Sequence, residues 1–214
     1  MKRVCEPEIL DTLPFGHPDA VRNRRDLRLI NLFMRNGAWF ARTLGRILKP
    51  GERVLELGCG TGDMGLHLIR QGVALDGLDL WPRPKAWPEG RLWHQQDLKS
   101  FSGYDPYGVV VANLILHQFT DNELAEIGAR IRRSARVVLA CEPARRRMSQ
   151  RMIAALAPLF GANYVTLHDA RVSVAAGFDG DELPRVLGLD GGGWSCSCTA
   201  TALGAIRMVA IRNP

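Results

Sequence analysis

The residues most able to do chemistry lie where a short apolar run leads into three glycines at alternate positions. The run reads Val54-Leu55-Glu56-Leu57-Gly58-Cys59-Gly60-Thr61-Gly62, and the acidic Glu56 stands two places before the first glycine. A short apolar run is typical of a buried parallel strand, and glycines let a chain turn tightly against a ligand. The sequence therefore predicts a nucleotide-like cofactor at the end of the first strand of an α/β sheet.

Polar side chains also follow the next three apolar runs. Asp79 comes about twenty residues after the glycines, where a carboxylate can accept hydrogen bonds from both hydroxyls of a ribose. Asp97 can accept from an adenine amino group, and Asn113 ends a β-branched run. Open α/β sheets bind ligands at the carboxyl ends of their parallel strands, so these residues are expected at one edge.

Alternating strands and helices are predicted to position these residues. Strands are expected at 53–57, 73–80, 91–94, 109–113, 136–142, 194–201 and 205–211, and helices at 24–48, 62–71, 121–133 and 182–188. The first helix is expected to break at Asn36-Gly37, and residues 1–21 are expected to form an irregular arm. This order predicts the α/β class, with a doubly wound, mostly parallel seven-stranded Rossmann-like sheet and an antiparallel C-terminal strand.

The spacing of the glycines separates classes of cofactor. A dinucleotide site has the fingerprint G-x-G-x-x-G, and a P-loop has a lysine followed by serine or threonine; this chain has neither. Four strings instead resemble, in order, the motifs of class I S-adenosylmethionine-dependent methyltransferases, in the branch of small-molecule enzymes related to the ubiquinone/menaquinone methyltransferases. They are Glu56-x-Gly58-x-Gly60-x-Gly62, Leu75-Asp76-Gly77-Leu78-Asp79-Leu80, Gln95-Gln96-Asp97-Leu98 and residues 109–119, and the resemblance covers about residues 53–142.

The resemblance implies S-adenosylmethionine as cofactor and a role for each matching residue. The methionine portion is expected at Glu56 and the backbone of Gly58, Cys59, Gly60 and Gly62. The ribose is expected at Asp79, beside Leu80 or Trp81. The adenine is expected at Asp97 and Leu98, and Asn113 is expected near the amino group. It also implies two parts: an N-terminal arm and helical lid at 1–48, and a cofactor-binding domain at 49–214 with a substrate-covering insertion at about 145–178.

Methyl transfer requires alignment of a nucleophile with the methyl carbon of the sulfonium more than it requires acid–base groups. A phenol or an enol carbon would still benefit from a base, and histidine is the usual one. His117, four residues after Asn113, and His168, within the expected cover, are the candidates; each can equally be a structural or a surface histidine. The preferred acceptor is a small aromatic or polyketide-type molecule, methylated on oxygen or carbon.

Other functions stay open at this stage. The formal net charge of +6 favours an anionic partner, so an RNA or protein methyltransferase is one alternative. The string Asn113-Leu114-Ile115-Leu116 argues against it, because amino-group methylases of nucleic acids often carry Asn/Asp-Pro-Pro-aromatic there. A non-catalytic cofactor-binding protein is another alternative, and a dinucleotide-dependent oxidoreductase is disfavoured by the glycine spacing.

Length and composition fit a globular protein of one domain. The chain has 214 residues, of which 46% are hydrophobic and 23% charged. No apolar run approaches the ~20 residues of a membrane span, and the first residues lack the apolar core of a signal peptide, so a cytoplasmic location is expected. The five scattered cysteines suit reduced thiols and no metal site. The expected partner is a small-molecule acceptor, free or linked to a carrier, and nucleic acid is not expected.

Overall fold

Seven strands form one sheet in this computed structural model, which describes residues 2–14, 16–146 and 163–214. The strands are β1 (Val54–Leu57), β2 (Leu75–Asp79), β3 (Trp93–Gln95), β4 (Val109–Asn113), β5 (Val137–Pro143), β6 (Trp194–Ala200) and β7 (Ala205–Arg212). Their order across the sheet is β3-β2-β1-β4-β5-β7-β6. The β1–β5 pairings are all parallel, whereas β7 runs antiparallel to both β5 and β6. The predicted mixed sheet with its antiparallel C-terminal strand is confirmed.

Helices cover both faces of this sheet. They are α1 (Ile9–Thr12), α2 (Pro18–Phe33), α3 (Asn36–Ile47), α4 (Asp63–Arg70), α5 (Asp121–Ser134), α6 (Tyr164–Ala176) and α7 (Glu182–Val186), with a 3-10 turn at Leu116–Gln118. One core packs α5 and α7 against the sheet, and the other packs α3 and α4 against its opposite face. The doubly wound arrangement is therefore confirmed.

The N-terminal region is more regular than the sequence analysis expects. The arm at 1–21 contains α1, and α2 already begins at Pro18, with the His17 side chain accepting a hydrogen bond from the Asp19 amide. A proline fits the first turn of a helix because its missing N–H needs no partner there. The helical stretch breaks at Arg35, which adopts a left-handed conformation with φ 55°, one residue before the predicted Asn36-Gly37.

The predicted covering segment at 145–178 is described only in part. Residues 147–162 lie outside the described residues, and α6 accounts for most of the remainder. This helix packs against α1, α2 and the 3-10 turn that follows β4. Helix α6 therefore lies beside the edge of the sheet that carries the predicted site residues.

Two further properties bear on function. Of the helices that the structure describes, none has the length and apolar character needed to cross a membrane. All five cysteines are free thiols, and the described residues contain no group of three or more His, Cys, Asp or Glu side chains placed to hold a metal ion.

Candidate functional site

The glycine run forms a tight loop between β1 and α4. Gly58, Gly60 and Gly62 have φ values of 66°, 55° and 78°, in the left-handed region that non-glycine residues rarely adopt. The Gly58 amide donates to the Leu78 carbonyl at 2.9 Å, which ties the loop to the end of β2. The three alternate glycines are therefore required by the backbone path of the loop.

Asp79 fixes this loop from the neighbouring strand. One oxygen of its carboxylate accepts from the Gly60 amide at 2.6 Å, and the other accepts from the Trp81 amide at 2.9 Å. Burial raises the pKa of Asp79. A carboxylate oxygen can accept more than one hydrogen bond, so both oxygens keep acceptor capacity for a ligand hydroxyl.

Glu56 is a buried acid beneath the loop, with 2% of its surface exposed. Its Oε2 atom has no hydrogen-bond partner among the described residues. Burial, with smaller contributions from Asp79 and Asp63, raises its pKa to about 8. A Cβ atom on Gly65 would lie 2.5 Å from this oxygen, so the glycine leaves room for the carboxyl group. A buried acid of this kind is stabilised in its ionised form by a cationic ligand group.

The end of β4 packs directly against the loop. Leu114 is left-handed, with φ 56°, and a Cβ atom on Gly58 would lie 2.4 Å from Cγ1 of Ile115. The Asn113 side chain donates to Asn31 at 3.0 Å and accepts from Asn36 at 3.1 Å. Its amide group therefore joins β4 to α2 and α3.

His117 lies on the 3-10 turn after β4 and is 3% exposed. Its Nδ1 is 2.7 Å from Oε2 of Glu142, and its Nε2 is 3.4 Å from Oε1 of Glu8. Burial opposes its charged form, but the two carboxylates outweigh that effect and raise its pKa to about 9. His117 is therefore held as an imidazolium at neutral pH.

The other predicted residues occupy different surroundings. His168 lies on α6 with 46% of its side chain exposed, and its Nδ1 is 3.2 Å from Oδ1 of Asp169. Leu80 is 65% exposed beside the site, whereas Leu98 is buried in the core that contains α5. Asp97 accepts from the Lys99 amide at 2.8 Å.

Cys59 lies within the glycine loop and is also buried. Its Sγ contacts the Glu56 carbonyl at 3.3 Å, and burial raises its pKa well above the ordinary value. Its thiol is therefore neutral, and its backbone is bonded within the chain, since its amide donates to the Leu78 carbonyl at 3.3 Å and its carbonyl accepts from the Gly62 amide at 2.8 Å.

The sequence analysis did not predict a role for two acidic residues near the site, Glu142 and Glu8. Glu142, fully buried in β5, accepts from the amides of Ile115 and Leu116 at 3.1 and 3.0 Å and so shapes the turn that carries His117. A polar residue near the carboxyl end of a buried strand was the available signal, as for Asp79. Glu8 had no such signal, because it reaches His117 from 109 residues away along the chain.

Comparison with known proteins agrees with this geometry. A family model described as "Methyltransferase domain" matches residues 24–163, more than half of the chain. The chain belongs to this methyltransferase family. The resemblance to class I S-adenosylmethionine-dependent methyltransferases is thereby confirmed, and with it the predictions of a methyltransferase enzyme and of its cofactor. No curated protein matches the methyltransferase.

Solved structures share the fold of this methyltransferase at low sequence identity. The plantazolicin methyltransferase BpumL in complex with SAH is 13% identical with a TM-score of 0.72, and the match covers 94% of this chain and 92% of that one. Magnesium protoporphyrin IX methyltransferase (ChlM) from Synechocystis PCC 6803 with bound SAM is 17% identical with a TM-score of 0.56, over 93% of each chain. A structure concerned with conversion of a disulfide bond into a thioacetal group during echinomycin biosynthesis is 23% identical with a TM-score of 0.58, over 82% and 80%.

Proposed function

We propose that this methyltransferase transfers the methyl group of S-adenosylmethionine to an oxygen or carbon of a small aromatic or polyketide-type acceptor. The observation that carries the cofactor assignment is the loop geometry, in which Asp79 fixes the Gly60 amide above the buried acid Glu56. The structural relatives include a plantazolicin methyltransferase and a magnesium protoporphyrin IX methyltransferase, which supports a small acceptor.

The methionine portion of the cofactor would lie over the glycine loop. Glu56 is a buried acid with an oxygen that accepts no hydrogen bond within the described part of the chain, and S-adenosylmethionine carries both a sulfonium and an ammonium group. A positive group near this acid favours its ionised form and so offsets the cost of its burial. The backbone from Gly58 through Cys59 and Gly60 to Gly62 gives the ligand an approach free of bulky side chains.

The nucleoside portion would extend along the ends of β2 and β3. Asp79 has spare acceptor capacity for the two ribose hydroxyls, and the exposed Leu80 offers an apolar surface to the sugar or base. One oxygen of Asp97 binds the Lys99 amide, which leaves the other for the adenine amino group, while Leu98 would contribute through its backbone. Asn113 would face the methionine amino group through its backbone carbonyl.

The two histidines differ in what they can do for the acceptor. His117 is protonated at neutral pH and bonded at both nitrogens, so it would serve as a fixed positive charge and could accept a proton only after deprotonation. His168 is half exposed, is oriented by Asp169 at one nitrogen, and lies on a helix beside the turn after β4. This geometry favours His168 as the general base and His117 as a positioning group for that turn.

The arm and helices within residues 1–48 would act as the lid, because the Asn31 and Asn36 side chains join them to the end of β4. Free cysteines are the usual state in a reducing compartment, which supports a cytoplasmic location.

The test is methyl transfer from radiolabelled S-adenosylmethionine to three acceptor classes: free phenols with enolisable diketones, bulk RNA, and a mixed protein extract. We expect label in the organic extract of the small-molecule reaction. Label only in precipitated RNA or protein would contradict the proposal and support the alternative methyltransferase. Among variants, we expect His168→Ala to lower kcat for a phenol at neutral pH, and unchanged turnover would remove its role as base.

A further inference from the structure

The outer face of α2 carries an unusual set of exposed apolar side chains. Of the eight large apolar residues exposed among those the structure describes, four lie on this one helix: Val21, Leu29, Leu32 and Phe33, with 49%, 46%, 74% and 55% of their surfaces exposed. Spacings of three, four, eight and eleven residues place them along the same side of a helix. Contiguous apolar patches on a protein surface mark sites of interaction.

Three arginines share this face with the apolar residues. Arg22, Arg25 and Arg28 are all exposed. The carboxylates near these arginines lie off the face: the buried Asp26 accepts from Arg25 at 3.0 Å, and Asp63 of α4 is 3.8 Å from Arg28. The undescribed residues 147–162 contain no Asp or Glu in their sequence, so they supply no complementary charge either. This surface, Val21 to Phe33 on the outer side of α2, is called the α2 face below.

The arrangement of charge on the α2 face discriminates between kinds of partner. A helix that lies in a bilayer interface segregates its apolar residues from its charged ones. On α2 the two kinds of side chain are mixed around the helix: Arg25 falls between Leu32 and Leu29, and Arg22 falls between Leu29 and Phe33. Arginine interleaved with leucine and phenylalanine is instead typical of protein interfaces, where it forms planar pairs with carboxylates. Apolar side chains also cannot donate hydrogen bonds to the phosphates of a nucleic-acid backbone.

We propose that the α2 face docks an acidic amphipathic helix of the protein or peptide that carries the methyl acceptor. Glutamate or aspartate side chains of that helix would pair with Arg22 and with the guanidinium donors of Arg25 and Arg28 that Asp26 and Asp63 leave unused. Its apolar residues would cover Leu29 and Leu32. This inference rests on the proposed function, since it specifies how the acceptor of that same site is delivered.

The position of α2 suits delivery to the cofactor site. The Arg24 guanidinium, on the inner side of the helix, lies 5.3 Å from the Trp81 ring centroid, two residues after Asp79. Arg28 is 3.8 Å from Asp63, the first residue of the helix that follows the glycine loop. A carrier seated on the α2 face would therefore hold a tethered acceptor at the rim of the site and raise its effective concentration there.

The test is fluorescence anisotropy of the full-length protein with a labelled helical peptide of about four turns that interleaves glutamate and leucine along one face. The matched control peptide has lysine in place of each glutamate. We expect the acidic peptide to bind with a Kd in about the micromolar range and the basic peptide not to bind. The double variant Arg22→Glu/Leu32→Ser should weaken binding by about tenfold or more. The matched double variant Arg42→Glu/Leu92→Ser, at exposed positions off this face, should leave binding unchanged.

Several results would overturn the proposal. They are equal binding of the two peptides, equal weakening by both double variants, or α2-dependent binding to anionic phosphatidylglycerol vesicles or single-stranded RNA without binding of the acidic peptide. Titration with S-adenosylmethionine separates this proposal from the proposed function. A protein that binds the cofactor but not the acidic peptide refutes only the docking site, whereas a folded protein that does not bind the cofactor refutes the proposed function itself.

Discussion

The substitution Glu56→Gln should make the stability of the protein less dependent on pH and should weaken its binding of S-adenosylmethionine. Glu56 is 2% exposed, and burial raises its pKa from the ordinary 4.5 to about 8. The folded state therefore retains a proton that the unfolded chain releases between these two values. Stability that depends on this proton is complete below pH 4.5 and is lost as the pH rises towards 8.

The size of the effect follows from the pKa. Since one pKa unit corresponds to about 1.36 kcal/mol, ionising Glu56 in the folded protein without a ligand costs up to about 5 kcal/mol. Glutamine cannot ionise, so the variant avoids this cost above pH 8. Its amide adds a buried donor that has its own cost, but that cost is the same at every pH and cancels when two pH values are compared.

The assay is urea unfolding followed by tryptophan fluorescence at about pH 5 and about pH 9, with the free energy of unfolding measured for both proteins. Relative to the wild type, Glu56→Gln should gain several kcal/mol between the two conditions. A difference between variant and wild type that is the same at both pH values would show that Glu56 ionises normally and would refute the reasoning. At neutral pH, loss of a charge-assisted hydrogen bond should weaken cofactor binding by about 10- to 150-fold.

Other substitutions test the turn after β4 and its contact with the glycine loop. Gly58→Ala places a Cβ atom 2.4 Å from Cγ1 of Ile115 at a φ of 66°, so it should lower the free energy of unfolding by about 2–3 kcal/mol; the prediction fails if the urea midpoint is unchanged. Glu142→Gln keeps an acceptor oxygen but removes the negative charge that lies 2.7 Å from Nδ1 of the His117 imidazolium, and should cost about 3–5 kcal/mol, seen as a lower Tm; a wild-type Tm would contradict it. The pKa of His117 should be about 9 by nitrogen-15 NMR and fall in Glu8→Gln. A midpoint near 6.5 would contradict the two-carboxylate arrangement. Because this pKa is raised on folding, the stability contributed by His117 is present below pH 6.5 and lost as the pH rises through about 9.

The sequence was most informative where local pattern alone decides structure. The run at β4 was predicted with the bounds that the structure shows, because four buried apolar residues end at the polar Asn113. The predicted start of the short strand β3 was two residues too early, because an edge strand with one partner has little apolar pattern to define its ends. The start of α2 carried a signal that was not used, a capping His17 followed by Pro18.

Contacts between distant parts of the chain were beyond sequence reasoning. The arm residue Arg3 donates to the Phe119 carbonyl at 2.6 Å, and Glu8 reaches His117; no local pattern reports such pairs. The hydrogen bonds that join Asn31, Asn36 and Asn113 could not be predicted either, because each residue alone fits a helix end or a strand end. The sequence thus placed the proposed cofactor residues at strand ends but did not predict the groups that orient them.

The most direct test of the central claim is isothermal titration of the protein and of Asp79→Asn with S-adenosylmethionine. Asp79 joins the Gly60 amide to the end of β2, and the account places the ribose of the cofactor on its carboxylate. We predict binding to the wild type with a Kd in about the micromolar range, and binding at least about tenfold weaker to the folded variant. No binding to the folded wild type, or equal affinities of the two proteins, would contradict the account.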